Sequence, residues 1–123
     1  MTEILKALGH ENRLGILALL MDNPLCVCDF EENLNLTQSN VSRHLAVLRN
    51  AGIIKSYKTQ QWVYYVIAKE FMENHKMLWL YLQKAFKEQP YMKLRKKFSA
   101  ASNCAGPIPV ELTAYRLERE NYE

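Results

Sequence analysis

Two of the three cysteines in this chain stand on either side of one valine, in the segment LCVCDF at residues 25–30. Thiolates are the ligands that soft ions prefer. An odd number of cysteines does not suit a secreted disulfide framework, which normally uses an even number. The pair Cys26 and Cys28 therefore indicates a thiolate metal site, a redox pair, or the packing of two small side chains.

The apolar spacing around this segment predicts four helices before residue 53. They lie in TEILKALG, ENRLGILALLM, VCDFEENLN and QSNVSRHLAVLRNAG, and a tight break, NLT, separates the last two. Thr37 can cap the fourth helix, and Gly52 supplies its C-terminal stop. The short third helix, the turn and the fourth helix together predict a helix-turn-helix.

The hydrophobic period changes after Gly52. The segments IIKSYK and WVYYVI are rich in β-branched and aromatic residues and have TQQ between them, which predicts a two-stranded hairpin. A helix is expected to run from about Lys69 to Glu88. These elements predict an α+β, mostly α, fold: a winged helix-turn-helix with a two-stranded β-hairpin wing and a terminal dimerisation helix.

This fold divides the chain into two parts. We expect residues 1–90 to form the DNA-binding and dimerisation domain. Residues 91–123 are expected to form a C-terminal extension, with a short helix after Pro90, a loop and a polar terminal helix. The apolar side chains on the helix from Lys69 to Glu88 exceed what one small domain can hide, so with the first helix they predict a homodimer interface. These side chains are Phe71, Leu78, Trp79, Leu82 and Phe86.

The charge is unevenly distributed, although the net charge is only +3. No Asp or Glu occurs between Glu32 and Glu70, whereas five Lys and Arg residues do. Such a segment favours a polyanionic partner when it also carries a helix-turn-helix, whose second helix enters the major groove of double-stranded DNA. His44 lies next to the buried stripe of that helix, and we expect it to make a structural hydrogen bond.

The predicted DNA contacts fall on two elements. Gln38, Ser39, Ser42 and Arg43 lie in the first turn of the second helix or opposite its apolar stripe, and such side chains can read base edges. Lys58 and Gln60, near the hairpin tip, would meet phosphate or the minor groove.

Several classes of function are disfavoured by the sequence. It contains no Gly-rich phosphate loop, and no paired carboxylates or Ser-His-Asp spacing stand out, so an enzyme is not expected. No segment approaches the ~20 apolar residues of a membrane helix. The N-terminus is too short and too polar for a signal peptide, so we expect a cytoplasmic protein without a membrane partner. A winged fold used for protein contacts is disfavoured by the acid-free segment.

Four segments in this order resemble the ArsR-type family of metal-responsive winged-helix repressors, over about residues 3–88. They are LKALGHENRLGILALL, LCVCDF, TQSNVSRHLAVLRNAGII and WVYYVI. The resemblance implies a homodimer that represses its own operon, requires no cofactor and releases DNA when an inducer binds. It places the DNA contacts on the same four residues of the second helix. The wing departs from the pattern, because relatives usually carry Gly where this chain has Gln60 and Gln61.

The resemblance also bears on the cysteines. Many relatives have small residues in this segment, as in Ser-Val-Ser-Glu-Leu, whereas the arsenic-sensing members have Leu-Cys-Val-Cys-Asp-Leu, from which this chain differs only at Phe30. The resemblance therefore implies that arsenite or antimonite is the inducer, bound by Cys26 and Cys28. Some arsenic sensors carry a third cysteine where this chain has Glu31. Cys104 is then either the third ligand or an idle loop thiol.

Two further readings of the cysteines remain open. A cadmium or lead sensor of the same fold usually has more cysteines near its N-terminus, and this N-terminus has none. A redox switch would pair Cys26 with Cys104. For an ion site, helix geometry adds a mechanism: positions i and i+2 of a regular helix are ~200° apart, so the first turn must distort before both thiols can bind one ion. We therefore expect ion binding to deform the helix that supports the recognition helix.

Overall fold

A computed structural model of the chain describes residues 1–59 and 62–99. Seven helices and one antiparallel hairpin lie in this part of the chain, in the order α1 Thr2–Leu8, α2 Glu11–Leu20, α3 Val27–Leu34, α4 Gln38–Asn50, β1 Ile54–Thr59, β2 Trp62–Ile67, α5 Lys69–Asn74, α6 Lys76–Ala85 and α7 Tyr91–Ser99. The predicted winged helix-turn-helix fold is confirmed: α3 and α4 form the helix-turn-helix, and the hairpin is the wing. None of these helices is long and apolar enough to span a membrane.

Local side-chain chemistry sets the ends of α4, the recognition helix. The Thr37 hydroxyl accepts a hydrogen bond from the Asn40 amide at 3.2 Å, which is the predicted N-cap. At the other end Gly52 adopts φ +78°, and the Ile53 amide donates to the Leu48 carbonyl at 3.0 Å. This is a Schellman motif, and it directs the chain from α4 straight into β1.

The core explains why α4 is held in one orientation. Helix α2 lies at its centre and buries every residue from Gly15 to Leu20. Val41, Leu45 and Leu48 of α4 are at most 1% exposed and belong to the same core. Because these three side chains fix one face of α4, the opposite face must point to solvent.

The prediction of a single helix from Lys69 to Glu88 is wrong, because this segment forms two helices, α5 and α6. His75 separates α5 from α6 with φ −128° and ψ 51°, outside the helical region. In a straight helix, residues eight apart are separated by about 12 Å along the axis. The bend instead brings the rings of Phe71 and Trp79 to 6.3 Å, edge to face, within the core.

The predicted dimer face also needs correction. Phe71, Trp79, Leu82 and Phe86 are at most 5% exposed within a single chain, and Leu78 is half-buried. Burial of these side chains therefore requires no partner subunit. The large apolar side chains that α1, its N-cap and α6 expose are different ones: Met1, Leu5, Met77, Leu80 and Tyr81.

The helix predicted after Pro90 is α7, and it packs across α2 and α3. Arg95 donates two hydrogen bonds to the Asp22 carboxylate, at 2.8 and 2.9 Å, and one to the Phe86 carbonyl at 2.9 Å. Phe98 is 4% exposed. Residues 91–99 thus add to the core of the helix-turn-helix, and the rest of the proposed extension lies outside the described residues.

Candidate functional site

The two thiols of LCVCDF lie side by side. Cys26 is the N-cap of α3, with extended backbone angles of φ −106° and ψ 172°, and Cys28 is the second residue of the helix. Their Sγ atoms are 3.1 Å apart. Two sulfur ligands of one ion lie at most about 4.6 Å apart, twice a ~2.3 Å metal–sulfur bond. The pair can therefore contact one ion as it stands.

This arrangement overturns the expectation that α3 must first distort. The ~200° separation applies to two residues within a regular helix. Cys26 precedes the first helical residue, so its side chain is free of the helical spacing and turns toward Cys28. The predicted helix also began at Val27; the error came from applying helical spacing to Cys26, which precedes it.

Asp29 organises the thiol pair, a role that sequence reasoning missed. Its Oδ2 accepts hydrogen bonds from the Cys26 amide at 3.1 Å and from the Cys26 thiol at 3.3 Å, and the residue is 1% exposed. Ligand atoms of Cys26, Cys28 and Asp29 lie within 4.8 Å of one another. The sequence did contain an indication of this role: Asp29 follows the N-cap residue Cys26 by three positions, which is the spacing of a capping box.

The environment of Cys26 keeps its thiol protonated. Burial raises the pKa of Cys26 above its ordinary value; a hydrogen bond from Cys28 opposes this, and the nearby Asp29 carboxylate reinforces it. An ion that binds the Cys26 thiolate must therefore displace a proton.

The thiol pair is connected directly to the wing. Leu25, which precedes Cys26, exchanges two backbone hydrogen bonds with Tyr65 of β2, at 3.2 and 2.7 Å. The thiols also face a cavity of about 310 Å³ between α3, the start of α4 and β2. The cavity is lined by Cys26, Val27, Cys28, Glu31, Gln38, Trp62 and Val63. One site thus touches both elements expected to contact DNA.

The residues predicted to read DNA on α4 all face solvent. Gln38, Ser39, Ser42 and Arg43 are exposed, on the side opposite the buried stripe. The Arg43 guanidinium donates to the Asn40 side-chain oxygen, so it is held on this face. Lys58 is exposed on β1, whereas Gln60 and Cys104 lie outside the described residues.

His44 turns inward from the recognition helix, as predicted. It is 6% exposed, and its Nδ1 accepts a hydrogen bond from Arg13 Nη1 at 3.2 Å. Arg13 also donates to the Ala7 carbonyl at 2.6 Å, so this contact ties α4 to the end of α1. Burial lowers the pKa of His44, and the positive charges around it, from His10, Arg13 and Arg43, lower it further.

In the folded chain, one basic residue of the acid-free segment, residues 33–69, lies next to an acidic side chain from outside it. Lys55 Nζ lies 2.8 Å from the Glu70 carboxylate, and both side chains are exposed. The Lys55 charge is therefore partly offset by a residue that follows the segment, and exposed pairs of this kind contribute little to stability.

Comparison with known proteins identifies the family. Residues 10–56 match the family model described as bacterial regulatory protein, arsR family. The structure of HlyU from Vibrio cholerae N16961 is 37% identical, with a TM-score of 0.56, over 66% of this chain and 88% of that one. The chain belongs to the arsR family of regulatory proteins, which are not enzymes.

Two curated relatives show how far the sequence similarity extends. The transcriptional activator HlyU of Vibrio cholerae is 43% identical over 53% of this chain and 60% of its own length. The arsenical resistance operon repressor of Escherichia coli is 44% identical over 51% of this chain and 55% of its own length. This chain thus spans a little over half the length of each.

Proposed function

We propose that this protein is a DNA-binding repressor that trivalent arsenic or antimony releases from its operator by binding to cysteine thiolates. The observation that carries the proposal is the 3.1 Å separation of the Cys26 and Cys28 sulfurs, in a cavity that also touches the recognition helix and the wing. A soft ion prefers sulfur ligands, and two are already gathered here.

The DNA-binding half of the proposal rests on the exposed face of α4 and on the wing. Gln38, Ser39 and Ser42 offer short donors and acceptors, and Arg43 can pair with guanine. Lys58 of β1, and Gln60, which follows β1 in the sequence, would contact the DNA backbone or the minor groove. The core fixes the other face of α4, so the recognition face is presented as a rigid unit.

The release half follows from what the thiols contact. An ion on Cys26 would take the place of the thiol proton, and the hydrogen bond from that thiol to Asp29 would be lost. The negative charge of Asp29 would then face a thiolate-bound ion. A shift at Cys26 passes directly to Leu25 and from there to Tyr65 of the wing. We therefore place the conformational change at the junction of α3 and the wing rather than inside α3.

A third sulfur ligand for an inorganic ion would come from Cys104. Glu31 occupies the position at which some arsenic sensors have cysteine, and its carboxylate is a poor ligand for a soft ion. Asp29 remains engaged with the amide of Cys26, and its carboxylate is likewise a poor ligand for a soft ion. A cadmium or lead sensor and a redox switch joining Cys26 to Cys104 are the competing readings of the same thiols.

We propose that the repressor acts as a homodimer on a pseudo-palindromic operator. The exposed apolar side chains of α1 and α6 support this. Such residues would promote aggregation if they stayed exposed on a monomer, and a dimer interface would cover them. Leu80 and Tyr81 are 42% and 68% exposed. Leu80→Lys should therefore convert the dimer to a monomer in sedimentation at micromolar concentration, whereas Lys84→Ala on the same helix should not.

Operator release by different ions tests the proposed function. An operator fragment is first recovered by selection with the ion-free protein, and its binding is followed by fluorescence anisotropy. We expect arsenite and antimonite to release the DNA at concentrations at which zinc does not. Release by cadmium or lead alone would favour the alternative sensor. Release by peroxide that dithiothreitol reverses would favour the redox switch.

A further inference from the structure

The side of the recognition helix that faces α1 and α2 carries a cluster of nitrogen-bearing side chains, His10, Arg13 and His44. The rings of His10 and His44 lie 4.5 Å apart, and Arg13 Nη1 donates to His44 Nδ1 at 3.2 Å. None of these three residues lines the cavity of the thiols. The cluster is therefore separate from the thiol site and needs a role of its own.

Arg13 joins α1 and α4 with one guanidinium group. Its Nε donates to the Ala7 carbonyl at 2.6 Å and its Nη2 to the Lys6 carbonyl at 3.3 Å, while Nη1 donates to His44. The two carbonyls belong to the last turn of α1, where a helix has no partners of its own for such groups. All three nitrogen atoms of the guanidinium group are thus hydrogen-bonded, two to α1 and one to α4.

The place of Arg13 in its own helix indicates that it does not serve that helix. It is the third residue of α2, and the helix dipole opposes a positive charge in the first turn. The same charge is favourable at the C-terminal end of α1. Arg13 therefore stabilises the junction of α1 with α4 rather than the start of α2.

The contact with His44 constrains α4 in a way that the core does not. Val41, Leu45 and Leu48 fix which face of α4 is buried, but apolar contacts are non-directional. A hydrogen bond weakens steeply as its length and angle change. His44 lies in the middle of α4 and is 6% exposed, so water has little access to replace this bond. The bond therefore holds α4 at one position relative to α1.

Helix α1 is also one of the helices proposed to form the dimer interface. Leu5 is 53% exposed, and the N-cap residue Met1 is 69% exposed. A helix that packs on the partner subunit and is hydrogen-bonded through Arg13 to α4 connects the subunit contact to the surface that reads DNA. In dimeric helix-turn-helix proteins, the separation of the two recognition helices sets the spacing of the half-sites.

We propose that Arg13 is a positioning residue for DNA recognition: by fixing α4 to α1 through His44, it sets the half-site spacing that the dimer accepts. This inference rests on the proposed homodimer and on DNA binding by the family, and it does not depend on the inducer. Arg13 needs no contact with DNA for this role, because it acts through His44 and α1.

Operators that differ only in spacing test the proposal by fluorescence anisotropy. The operator recovered by selection is compared with versions that have one base pair inserted or deleted between the half-sites, and with a fragment that carries a single half-site. One base pair moves a half-site by about 3.4 Å along the DNA and rotates it by about 34°. The wild type should prefer the recovered operator over both altered spacings by at least about tenfold.

The expected effect of Arg13→Ala is a loss of this preference. It should bind the recovered operator about tenfold more weakly, the effect of losing a hydrogen bond to a charged group. Its preference over the altered spacings should fall to about threefold or less, because α4 is no longer held at one position. Its affinity for the single half-site should be nearly unchanged, because the recognition face is intact. A substitution that only destabilised the fold would weaken binding to all four fragments in the same proportion.

Three further variants separate position from charge. Arg13→Lys keeps the positive charge, but one ammonium group cannot reproduce the planar fork that spans α1 and α4, so it should behave like Arg13→Ala. His44→Leu removes the acceptor on α4 and should cause the same loss of preference, with no further loss when it is combined with Arg13→Ala. Lys6→Ala removes an exposed charge of α1 but leaves its carbonyl in place, so it should keep the wild-type preference.

The outcomes separate this inference from the proposed arsenic response. If arsenite does not release the wild type from its operator, the proposed function fails, and this inference is decided by the spacing data alone. The inference is overturned if Arg13→Ala keeps the wild-type preference or if Arg13→Lys restores it. It is also overturned if the wild type has no preference or sediments as a monomer. If urea denaturation shows that Arg13→Ala does not fold, Arg13→Lys and His44→Leu decide the same question.

Discussion

The thiol site, formed by Cys26, Cys28 and Asp29, and the recognition face, the exposed side of α4, differ in how firmly the folded chain holds their side chains. Cys26 and Asp29 are 3% and 1% exposed and are hydrogen-bonded to each other, whereas Gln38 and Ser42 project from α4 into solvent. The thiol site is therefore ordered before its ligand arrives. The core holds the backbone of α4 in place, but the exposed side chains of the recognition face lose conformational entropy when they bind DNA.

The two regions meet at Gln38, which belongs to the recognition face and also lines the cavity of the thiols. Energetic coupling between two sites needs an element that both of them bias. Here that element is the junction of α3, α4 and β2. Substitutions in one region can therefore show whether ion binding and DNA binding can be changed independently. Substitutions at the junction can show whether a change there alters both.

The largest effect is expected at the thiols. Cys26→Ser and Cys28→Ser should each abolish release by arsenite, a loss greater than the ~10–100-fold caused by substituting groups around metal ligands. DNA affinity should be nearly unchanged, because serine is close to cysteine in size and is itself a favoured N-cap. Anisotropy titrations with and without arsenite measure both quantities.

A graded comparison supports this first prediction. Cys104→Ser should weaken release only partly, because Cys104 is at most a third ligand. If Cys104→Ser alone destroyed the response while Cys26→Ser retained it, the site would lie elsewhere. If all three variants responded like the wild type, the cysteines would be packing residues.

The next effect is expected on the recognition face. Arg43→Ala should cost about 1–3 kcal/mol of operator binding and relax specificity at one position in each half-site. Because Arg43 is exposed, the free energy of unfolding should change by less than about 0.5 kcal/mol. Lys58→Ala is the matched comparison: it should weaken all DNA sequences alike and reduce the salt dependence. Equal affinity of the wild type and Arg43→Ala for every DNA tested would refute the assignment.

The fold was largely predictable because its signals are local. The stripe of Val41, Leu45 and Leu48, the cap at Thr37 and the stop at Gly52 define the recognition helix from sequence alone. The change to β-branched and aromatic residues located the wing. Positions on the exposed face of α4 followed from the same helical period.

The sequence singled out the pair Cys26 and Cys28, but it could not predict the geometry of the two thiols. Cys26 lies one residue before the predicted helix, and the orientation of its side chain depends on its extended backbone angles, which the apolar pattern of the helix does not specify. The contacts of Leu25 with Tyr65, and of the cavity with Trp62, join segments about 40 residues apart, so no local pattern could reveal them. The bend at His75 likewise depends on packing of Phe71 and Trp79 in the core.

A smaller effect tests whether the thiol site is organised by its own hydrogen bonds. Asp29→Ala removes the acceptor of the Cys26 amide and should lower the free energy of unfolding by about 1 kcal/mol, the usual cost of losing a helix cap. Glu32→Ala, at an exposed position of the same helix, should have almost no effect. Urea denaturation compares the two. Equal stability of both variants would show that Asp29 does not support the site.

The smallest effect concerns His44, which links the inner side of the recognition helix to Arg13. Because burial and the neighbouring positive charges lower its pKa, the folded protein binds this proton less readily than the unfolded chain, in which the pKa is about 6.5. Stability from this group is therefore complete above pH ~6.5 and is lost as the pH falls below that value. His44→Gln keeps an acceptor for Arg13 but cannot be protonated. Between about pH 7.5 and pH 5.5, the wild type should lose more unfolding free energy than His44→Gln in urea denaturation. An identical loss in both proteins would mean that the contact between α4 and Arg13 does not depend on a neutral imidazole.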